Sequence, residues 1–434
     1  MRRAPTARSV ALGVIRRVVE DGAYSNLALP AALRRSGLPR ADRALATELA
    51  YGTLRRLIPI DRAIAPHLRR GIGATPADAL ALLRLGTYQL LYMRIPSYAA
   101  VSATVDLASG RARGFVNAVL RAVERAGARA PSGASDDDVS ARTGVAAWAV
   151  RELRTMLGAD AEEAAAALAE PAGPTLRPNP CVASRDEVLA ALRATGLEPH
   201  PGVVEAESVR LDAGATPSEL PGFREGAFAI QDEASSFVVR ALDPRPGERV
   251  LDACAAPGGK AGDIACRVAP GGRLVAADVS PARVRLVADQ LRRLRVDGVV
   301  LAQDARRPAV EARFDKVLVD APCSGIGSAR RRPELLWRVS RDRLSGLARL
   351  QVAIAEAAAD LLRPGGRLVY SVCTFPRAET DAACDALVRH RPDLVPETID
   401  GPDGTADRVR LWPHRHGSDG MFVAAFRKTG TAPR

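Results

Sequence analysis

From Pro244 onward, short apolar runs of strand length alternate with amphipathic segments of helical spacing. Parallel strands connected by helices form a doubly wound sheet, and the carboxyl ends of its strands lie along one edge. Ligands of such sheets bind at that edge. Five successive runs end at a polar residue, which predicts one site built from five strand ends. These residues are Asp252, Asp278, Asp304, Asp320 and Cys373.

Residues 4–128 follow a different pattern, in which helical spacing is interrupted by prolines and strand-like alternation is missing. The apolar residues between Ala11 and Val19 fall on one helix face, whereas Arg16 and Arg17 fall on the other. We predict a helical bundle over residues 1–128, a Pro/Gly/Ser- and acid-rich linker over 129–140, and a small α+β adaptor over 141–242. An α/β Rossmann-like domain over 243–430 completes the predicted multidomain fold.

The net charge of +12 is concentrated in the first third of the chain. Residues 1–130 contain 21 Arg, no Lys and 8 acidic residues, and so carry +13, while the remainder carries −1. An excess of arginine in one module is typical of proteins that bind polyanions, because guanidinium groups form bidentate contacts with phosphate. The alternative is a charge that only keeps the protein soluble. We favour a nucleic-acid partner for the helical domain.

The six cysteines form no C-x-x-C pair, and the histidines show no zinc spacing. In a chain of 434 residues a disulfide framework is not expected, so we predict free thiols in a reducing, cytoplasmic compartment. No apolar run is long enough for a membrane span, and the basic start of the chain does not resemble a signal peptide. We therefore expect no membrane partner, no metal, and a monomer.

The stretch from Arg249 to Asp278 combines a strand, a glycine-containing loop, a helix and a second strand. Gly258 and Gly259 allow backbone N–H groups at the helix start to approach a ligand, and the acid after the second strand suits ribose hydroxyls. Both the dinucleotide fingerprint G-x-G-x-x-G and the P-loop pattern are absent. These features favour a nucleoside ligand without a phosphate chain. A purely structural turn is the alternative.

Two thiols, Cys323 and Cys373, follow neighbouring strands and limit the reactions that the site is expected to catalyse. A thiolate that adds to carbon 6 of a pyrimidine makes carbon 5 nucleophilic enough to accept a methyl group from a sulfonium donor. Asp320, beside Cys323, is able to hydrogen-bond the N3 and amino edge of the base. Lys260 is one of only three lysines against 59 arginines, which suggests selection for its slimmer charge in the loop. Each cysteine alone would more often be a buried apolar residue.

Seven motifs are spread over nearly the whole chain. They are DRALATELAYGT (42–53), GFVNAVLR (114–121), FAIQDEAS (228–235), DACAAPGGK (252–260), DAPCSG (320–325), YSVCT (370–374) and WPHRHGSDGMF (412–422). Together they resemble the motifs of one family, the RsmB/Sun (Fmu) branch of bacterial 16S rRNA 5-methylcytosine methyltransferases. The similarity includes the family's NusB-like helical RNA-binding domain at residues 8–128.

The resemblance implies that Cys373 attacks carbon 6 of a cytosine in 16S rRNA and that Cys323 assists release of the methylated product. It implies S-adenosyl-L-methionine as the methyl donor, with Asp278 on the ribose, Asp304 near the adenine and Asp320 shared with the target base. The substrate is expected to be 16S rRNA or a small-subunit assembly intermediate. The residues expected to hold the donor are Cys254, Ala255, Ala256, Pro257, Gly258, Gly259, Lys260, Asp278, Asp304 and Asp320.

One departure concerns the residues around the nucleophile, where the family usually has Thr-Cys-Ser and this chain has Val372-Cys373-Thr374. Loss of the preceding hydroxyl changes the local hydrogen bonding but leaves the thiol in place. Two alternatives remain open from the sequence. One is a methyltransferase that acts on another RNA, on a protein or on a small molecule. The other is a non-catalytic RNA-binding assembly factor.

Overall fold

The computed structural model describes residues 4–127, 130–212, 214–309 and 313–430, and these form two compact units. The first unit comprises Met1–Glu170 together with Ala329–Val339. The second comprises Pro171–Ser328 and Ser340–Arg434. The chain therefore leaves the second unit after Ser328 and returns to it at Ser340. This excursion was not apparent in the sequence.

The first unit is helical and has one shared apolar core. Several of its helices contribute one apolar face, as the spacing of apolar residues predicts, whereas the helix Ala77–Tyr92 is buried on all sides between Ala79 and Gln89. Thr6 begins the first helix with a capping box, in which its hydroxyl accepts the N–H of Ser9. The helices are α1 Ala7–Val19, α2 Ser25–Ser36, α3 Arg40–Arg55, α4 Leu57–Ile64, α5 Ala77–Tyr92, α6 Ser97–Val105, α7 Ala112–Ala126, α8 Asp136–Thr143, α9 Ala147–Leu157 and α10 Ala161–Ala169, with α15 Leu335–Arg338 in the returning segment.

Residues 329–339 are held in the first unit by specific hydrogen bonds. The carboxylate of Glu334, which is fully buried, accepts the backbone N–H of Ser25 at 3.1 Å. The Nε1 of Trp337 donates to the carbonyl of Leu54 at 2.8 Å, and Arg338 donates to the carbonyl of Ala23 at 3.0 Å. The helical unit thus depends on a segment that the sequence places almost 160 residues after α10, in the middle of the predicted α/β domain.

The second unit begins with a small antiparallel sheet of strand order β2-β3-β1-β4 that packs on one helix, α11. Short strands without a long periodic pattern explain why the sequence supported only an α+β assignment here. The elements are β1 Thr175–Pro178, α11 Arg185–Arg193, β2 His200–Pro201, β3 Val209–Arg210 and β4 Phe228–Ile230.

The main sheet of the second unit has the order β10-β14-β9-β8-β5-β6-β7, with β13 paired to β14. The strands β7, β6, β5, β8 and β9 are parallel, as predicted, while β14 runs antiparallel to β9 and was not predicted. The strands are β5 Arg249–Asp252, β6 Arg273–Asp278, β7 Val299–Ala302, β8 Phe314–Asp320, β9 Leu362–Val372, β10 Leu394–Glu397, β13 Arg408–Leu411 and β14 Met421–Lys428, with a separate hairpin of β11 Ile399–Gly401 and β12 Gly404–Ala406.

Helices cover both faces of this sheet, which gives the three-layer arrangement of a doubly wound fold. One core lies under α12, α13 and α14, and the other lies under α16 and α17. The predicted fold class is therefore confirmed. The helices are α12 Glu233–Leu242, α13 Gly259–Val268, α14 Pro281–Arg293, α16 Leu344–Asp360, α17 Asp381–His390 and α18 Pro413–His416.

The boundaries of the two compact units differ from the domain boundaries predicted from the sequence. Helix α8 begins inside the predicted linker 129–140, because Ser135 caps it with a capping box. Helices α9 and α10 group with the first unit rather than with the adaptor. Helix α12 belongs by its core contacts to the main sheet, since Phe237 and Val238 are fully buried in the same core as β5.

The prediction that all cysteines are free thiols is wrong in this structure, because Cys181 and Cys266 form a disulfide. The pair links the loop after β1 with helix α13, and the two residues are 85 positions apart. Such a pair has no sequence signature, since only the fold brings the two Cα atoms within 5.9 Å. Among the described residues, Cys254, Cys323, Cys373 and Cys384 take part in no disulfide. No helix in the described part of the chain has both the length and the apolar character needed to cross a membrane.

Candidate active site

The loop between β5 and α13, together with the first turn of α13, contains the predicted cofactor residues Cys254 to Lys260. Gly258 precedes the helix with a φ of +107°, a conformation that side chains other than glycine rarely adopt. A Cβ at this position would also lie 3.1 Å from Gln290 Cβ and Val287 Cα. The glycine therefore allows the turn and brings the first N–H groups of α13 to the carboxyl edge of the sheet, where they are able to meet a polar ligand.

Asp252, at the end of β5, is almost completely buried, and neither carboxylate oxygen has a hydrogen-bond partner in the described structure. Burial, followed by the neighbouring charge of Asp320, raises the pKa of Asp252 to about 7. A buried carboxylate without a partner is costly in a folded protein. It is suited to a ligand that brings a cation, and the α-ammonium group of an amino-acid moiety is such a cation.

Lys260 and Asp320 form an ion pair at this edge, with 2.7 Å between Nζ and Oδ2. Lys260 also donates to Ser235 Oγ at 3.3 Å, and Ser371 Oγ donates to the other oxygen of Asp320 at 2.8 Å. Burial alone would lower the pKa of Lys260, but the carboxylate of Asp320 outweighs it and the pKa is raised. Lys260 and Asp320, which are 60 positions apart in the sequence, therefore form one ion pair in the folded protein.

The two predicted catalytic thiols lie side by side. Cys323 Sγ and Cys373 Sγ are 3.5 Å apart, at the ends of the neighbouring strands β8 and β9. Their contact, followed by burial, raises the pKa of the Cys323 thiol well above its usual value. Cys254, by contrast, stands apart from this pair. Burial, followed by the charges of Asp252, Asp320 and Asp278, raises the pKa of the Cys254 thiol.

Asp278 and Asp304 follow the next two strands of the sheet. Asp278 is buried, accepts the N–H of Ser280 at 3.0 Å and lies 3.4 Å from Arg283. Asp304 is more exposed and is bonded to Arg306, whose side-chain and backbone hydrogen bonds lower the pKa of Asp304 to about 2. The predicted strand ends therefore lie along one edge of the sheet. Asp278, at the end of β6, and Asp304, after β7, lie further along this edge from the thiols than Asp320 does.

The departure at Val372 has a structural explanation. Val372 is fully buried at the end of β9 and pairs with Phe422 on β14, so an apolar side chain fits this position. Thr374 retains a hydroxyl at the position after the nucleophile. Its Oγ1 lies 2.6 Å from Ser324 Oγ. The sequence motifs also overlooked two buried residues near the thiols, Gln351 and Glu379. They lie on other elements and follow no recognisable spacing.

Comparison with known proteins agrees with this architecture. The model of 16S rRNA methyltransferase RsmB/F matches residues 239–427, the NusB family model matches 5–125, and the RsmF/B-like ferredoxin-like domain matches 145–216. A protein of Bacillus subtilis named as a probable ribosomal RNA small subunit methyltransferase B is 35% identical, over 98% of this chain and 99% of its own. The ribosomal RNA small subunit methyltransferase B of Vibrio cholerae is 33% identical over 97% of both chains.

This chain belongs to the RsmB/F family of methyltransferases. The crystal structure of PH0851 has a TM-score of 0.84, covers 99% of this chain and 100% of its own, and is 24% identical, which supports the fold. A methyltransferase homologue from Pyrococcus horikoshii has a TM-score of 0.59 and 28% identity over 68% of this chain and 99% of its own. The predicted family, the fold class and the NusB-like first domain are confirmed.

Membership of the RsmB/F family makes the protein an S-adenosylmethionine-dependent methyltransferase. The residues at the carboxyl edge fit that donor. Asp252 offers a carboxylate without a partner, the start of α13 offers N–H groups, and Asp278 lies at the position typical of a ribose-binding acid. When bound, the donor supplies an electrophilic methyl group on a sulfonium.

Proposed function

We propose that this protein methylates carbon 5 of a cytosine in 16S rRNA through a covalent bond between Cys373 and carbon 6 of the base. The observation that carries the proposal is the 3.5 Å spacing of two thiols beside the Lys260–Asp320 pair, at the same sheet edge as the donor loop. A methyltransferase that acts on an already nucleophilic atom needs no thiol, whereas carbon 5 of a cytosine becomes reactive only after addition at carbon 6.

In this mechanism the thiolate of Cys373 adds to carbon 6, and the electron pair of the former double bond leaves carbon 5 nucleophilic. Asp320 takes up the proton of the Cys373 thiol and donates it to N3, which neutralises the negative charge that the addition places on the ring, while Lys260 holds Asp320 in place. After carbon 5 has gained the methyl group, a base removes its proton and the bond to Cys373 breaks. Cys323 assists that release.

The donor site of the proposal keeps the residues predicted from the sequence. Cys254 to Lys260 form the loop around the methionine part, Asp278 binds the ribose, and Asp304 lies near the adenine. Asp252 joins this set as the carboxylate nearest the α-ammonium group, since both of its oxygens are free of partners in the described structure.

The basic helical domain is proposed to bind the ribosomal RNA and to present a single-stranded or flipped-out cytosine to the thiols. The relatives named as small-subunit methyltransferases support this choice of substrate, as does the charge of +13 on residues 1–130. The proposal includes a monomeric enzyme that works in the cytoplasm. Electrostatic binding predicts an affinity for RNA that falls steeply as salt is raised.

The test uses purified protein, 16S rRNA and a donor with a labelled methyl group. Wild-type protein should transfer label to RNA and not to protein, and bisulfite mapping should locate one cytosine. Cys373→Ala should abolish transfer, whereas Cys323→Ala should accumulate a nuclease-sensitive covalent adduct between protein and RNA. Transfer at the wild-type rate by Cys373→Ala would falsify the mechanism.

A further inference from the structure

Two buried side chains hold the peptide groups on either side of Cys323. The carboxylate Oε1 of Glu379 accepts the backbone N–H of Ser324 at 2.9 Å. The amide Nε2 of Gln351 donates to the carbonyl of Pro322 at 3.0 Å. The same amide donates to Glu379 Oε1 at 2.9 Å, so both contacts belong to one network.

The network extends to the strand that carries the other thiol. The hydroxyl of Tyr370, on β9, lies 2.7 Å from the carbonyl of Glu379 and 3.1 Å from Gln351 Oε1. Ser324 and Thr374, which follow the two cysteines, are joined through their hydroxyls at 2.6 Å. The backbones around both thiols are therefore tied together by polar contacts that bypass the sulfur atoms.

These contacts are unusual for a core that only needs to be stable. Glu379 and Gln351 are fully buried, and Glu379 Oε2 has no partner in the described structure. Burial raises the pKa of Glu379 above its ordinary value. An apolar pair of similar volume would avoid the cost of burying these groups. Two hydrogen bonds to the peptides that flank a reactive thiol offer positional precision instead.

The backbone of Gly327 packs closely against the backbones of Cys373 and Gly420, which leaves little room for the loop that carries Cys323 to move. Gly327 donates its N–H to the carbonyl of Cys373 at 3.0 Å and accepts the N–H of Gly420 at 2.9 Å. A Cβ on Gly327 would lie 2.2 Å from the carbonyl oxygen of Gly420. The loop that carries Cys323 is thus fixed at its start by Gln351 and Glu379 and at its end by this contact.

We propose that Glu379 and Gln351 are positioning residues that hold Cys323 against Cys373 and so determine how fast the methylated RNA is released. This inference rests on the covalent mechanism proposed above. Neither residue touches the reacting atoms. If the loop moves, Cys373 still forms its bond to the base, but Cys323 no longer lies where it assists the elimination.

The first experiment measures the covalent adduct with RNA for Glu379→Ala, Gln351→Ala and Glu379→Gln. The alanine variants should accumulate at least about tenfold more adduct than wild type, while Glu379→Gln, which keeps an acceptor oxygen, should stay within about twofold. Ile354→Ala is the matched control, because Ile354 is a buried residue of the same helix as Gln351, α16, and packs in the apolar core. Its adduct level should equal that of wild type.

The second measurement needs no RNA and so separates this inference from the proposed function. Phenylarsine oxide bridges two neighbouring thiols, with loss of both thiol protons and of the oxide oxygen as one water. Because bridging gains from a preformed spacing, Glu379→Ala should bind the reagent at least about tenfold more weakly than wild type and Ile354→Ala. The double variant Cys323→Ser/Cys373→Ser gives the background.

The outcomes are distinct. In one outcome, Cys323→Ala accumulates the adduct but Glu379→Ala forms no more adduct than wild type. This result would overturn the positioning role and leave the proposed function intact. Absence of adduct with Cys323→Ala would overturn the division of labour between the thiols, and arsenical binding would then decide the positioning role alone. Equal binding by wild type and Glu379→Ala would overturn it.

Discussion

Lys260 Nζ lies 2.7 Å from Asp320 Oδ2, although the two residues are 60 positions apart and belong to different elements. Lys260 is in the first turn of α13, and Asp320 is the last residue of β8. The contact joins the donor loop to the loop that carries Cys323. It gives the site a buried cation next to the carboxylate that we expect to meet the cytosine.

Replacement of Lys260 by methionine should lower kcat/KM for methyl transfer about 30-fold or more, which corresponds to about 2 kcal/mol. The reason is that Asp320 loses its counterion and its fixed orientation. Steady-state transfer of labelled methyl groups measures the effect, and circular dichroism checks the fold. In a double-mutant cycle with Asp320→Asn, the losses should be less than additive, because both changes break the same pair. Fully additive losses would contradict the coupling.

The buried carboxyl of Asp252 should make stability depend on pH. Its pKa is about 7 in the folded protein against 3.8 ordinarily, so the unfolded chain releases this proton at lower pH than the folded chain does. The stabilising contribution is therefore complete below about pH 4 and is lost as the pH rises through 7. Between about pH 5 and pH 7 the free energy of unfolding should fall by about 2 kcal/mol from this group.

The measurement is urea unfolding of wild type and Asp252→Asn at a series of pH values without donor. The difference between the two free energies should change with pH in the direction given above, because asparagine does not titrate. If the free energies of unfolding of wild type and Asp252→Asn differ by a constant amount from about pH 5 to pH 8, Asp252 is ionised in the folded protein over this range. Adding a donor analogue should reduce the pH dependence of the wild type, since a cation favours the carboxylate.

The disulfide between Cys181 and Cys266 should stabilise the second unit. It closes a loop of 85 residues, for which the lost loop-closure entropy corresponds to about 4.5 kcal/mol. Cys181→Ser should therefore lower the midpoint of thermal unfolding under non-reducing conditions. Reductant should lower the midpoint of wild type by the same amount and leave the variant unchanged. A wild-type midpoint that does not respond to reductant would favour the free thiols predicted from the sequence.

The segment 329–339 should contribute to the stability of the helical unit. Trp337→Phe removes the hydrogen bond to the carbonyl of Leu54 but keeps most of the apolar contact, and should cost about 1 kcal/mol. Glu334→Ala should cost more, about 2 kcal/mol, because it leaves the N–H of Ser25 without its buried partner. Hydrogen exchange of α2 and α3 measures both effects. Unchanged protection in both variants would count against this role.

The sequence by itself determined the class of fold and was sufficient to name most residues of the candidate site. Strand and helix periods, the glycine loop and the acids at successive strand ends act locally, so a single stretch of chain is sufficient to recognise them. For the same reason Lys260, Asp320, Cys323 and Cys373 could be named in advance, and the fold brings these four together.

Only the tertiary structure decided which distant groups meet. The disulfide of Cys181 with Cys266, the return of residues 329–339 to the helical unit and the network of Glu379 with Gln351 join elements that are far apart in the chain. Contacts of this kind depend on how layers pack, and no local period records them. The roles that we propose for side chains at the site therefore come from the motifs, while the geometry of these side chains comes from packing.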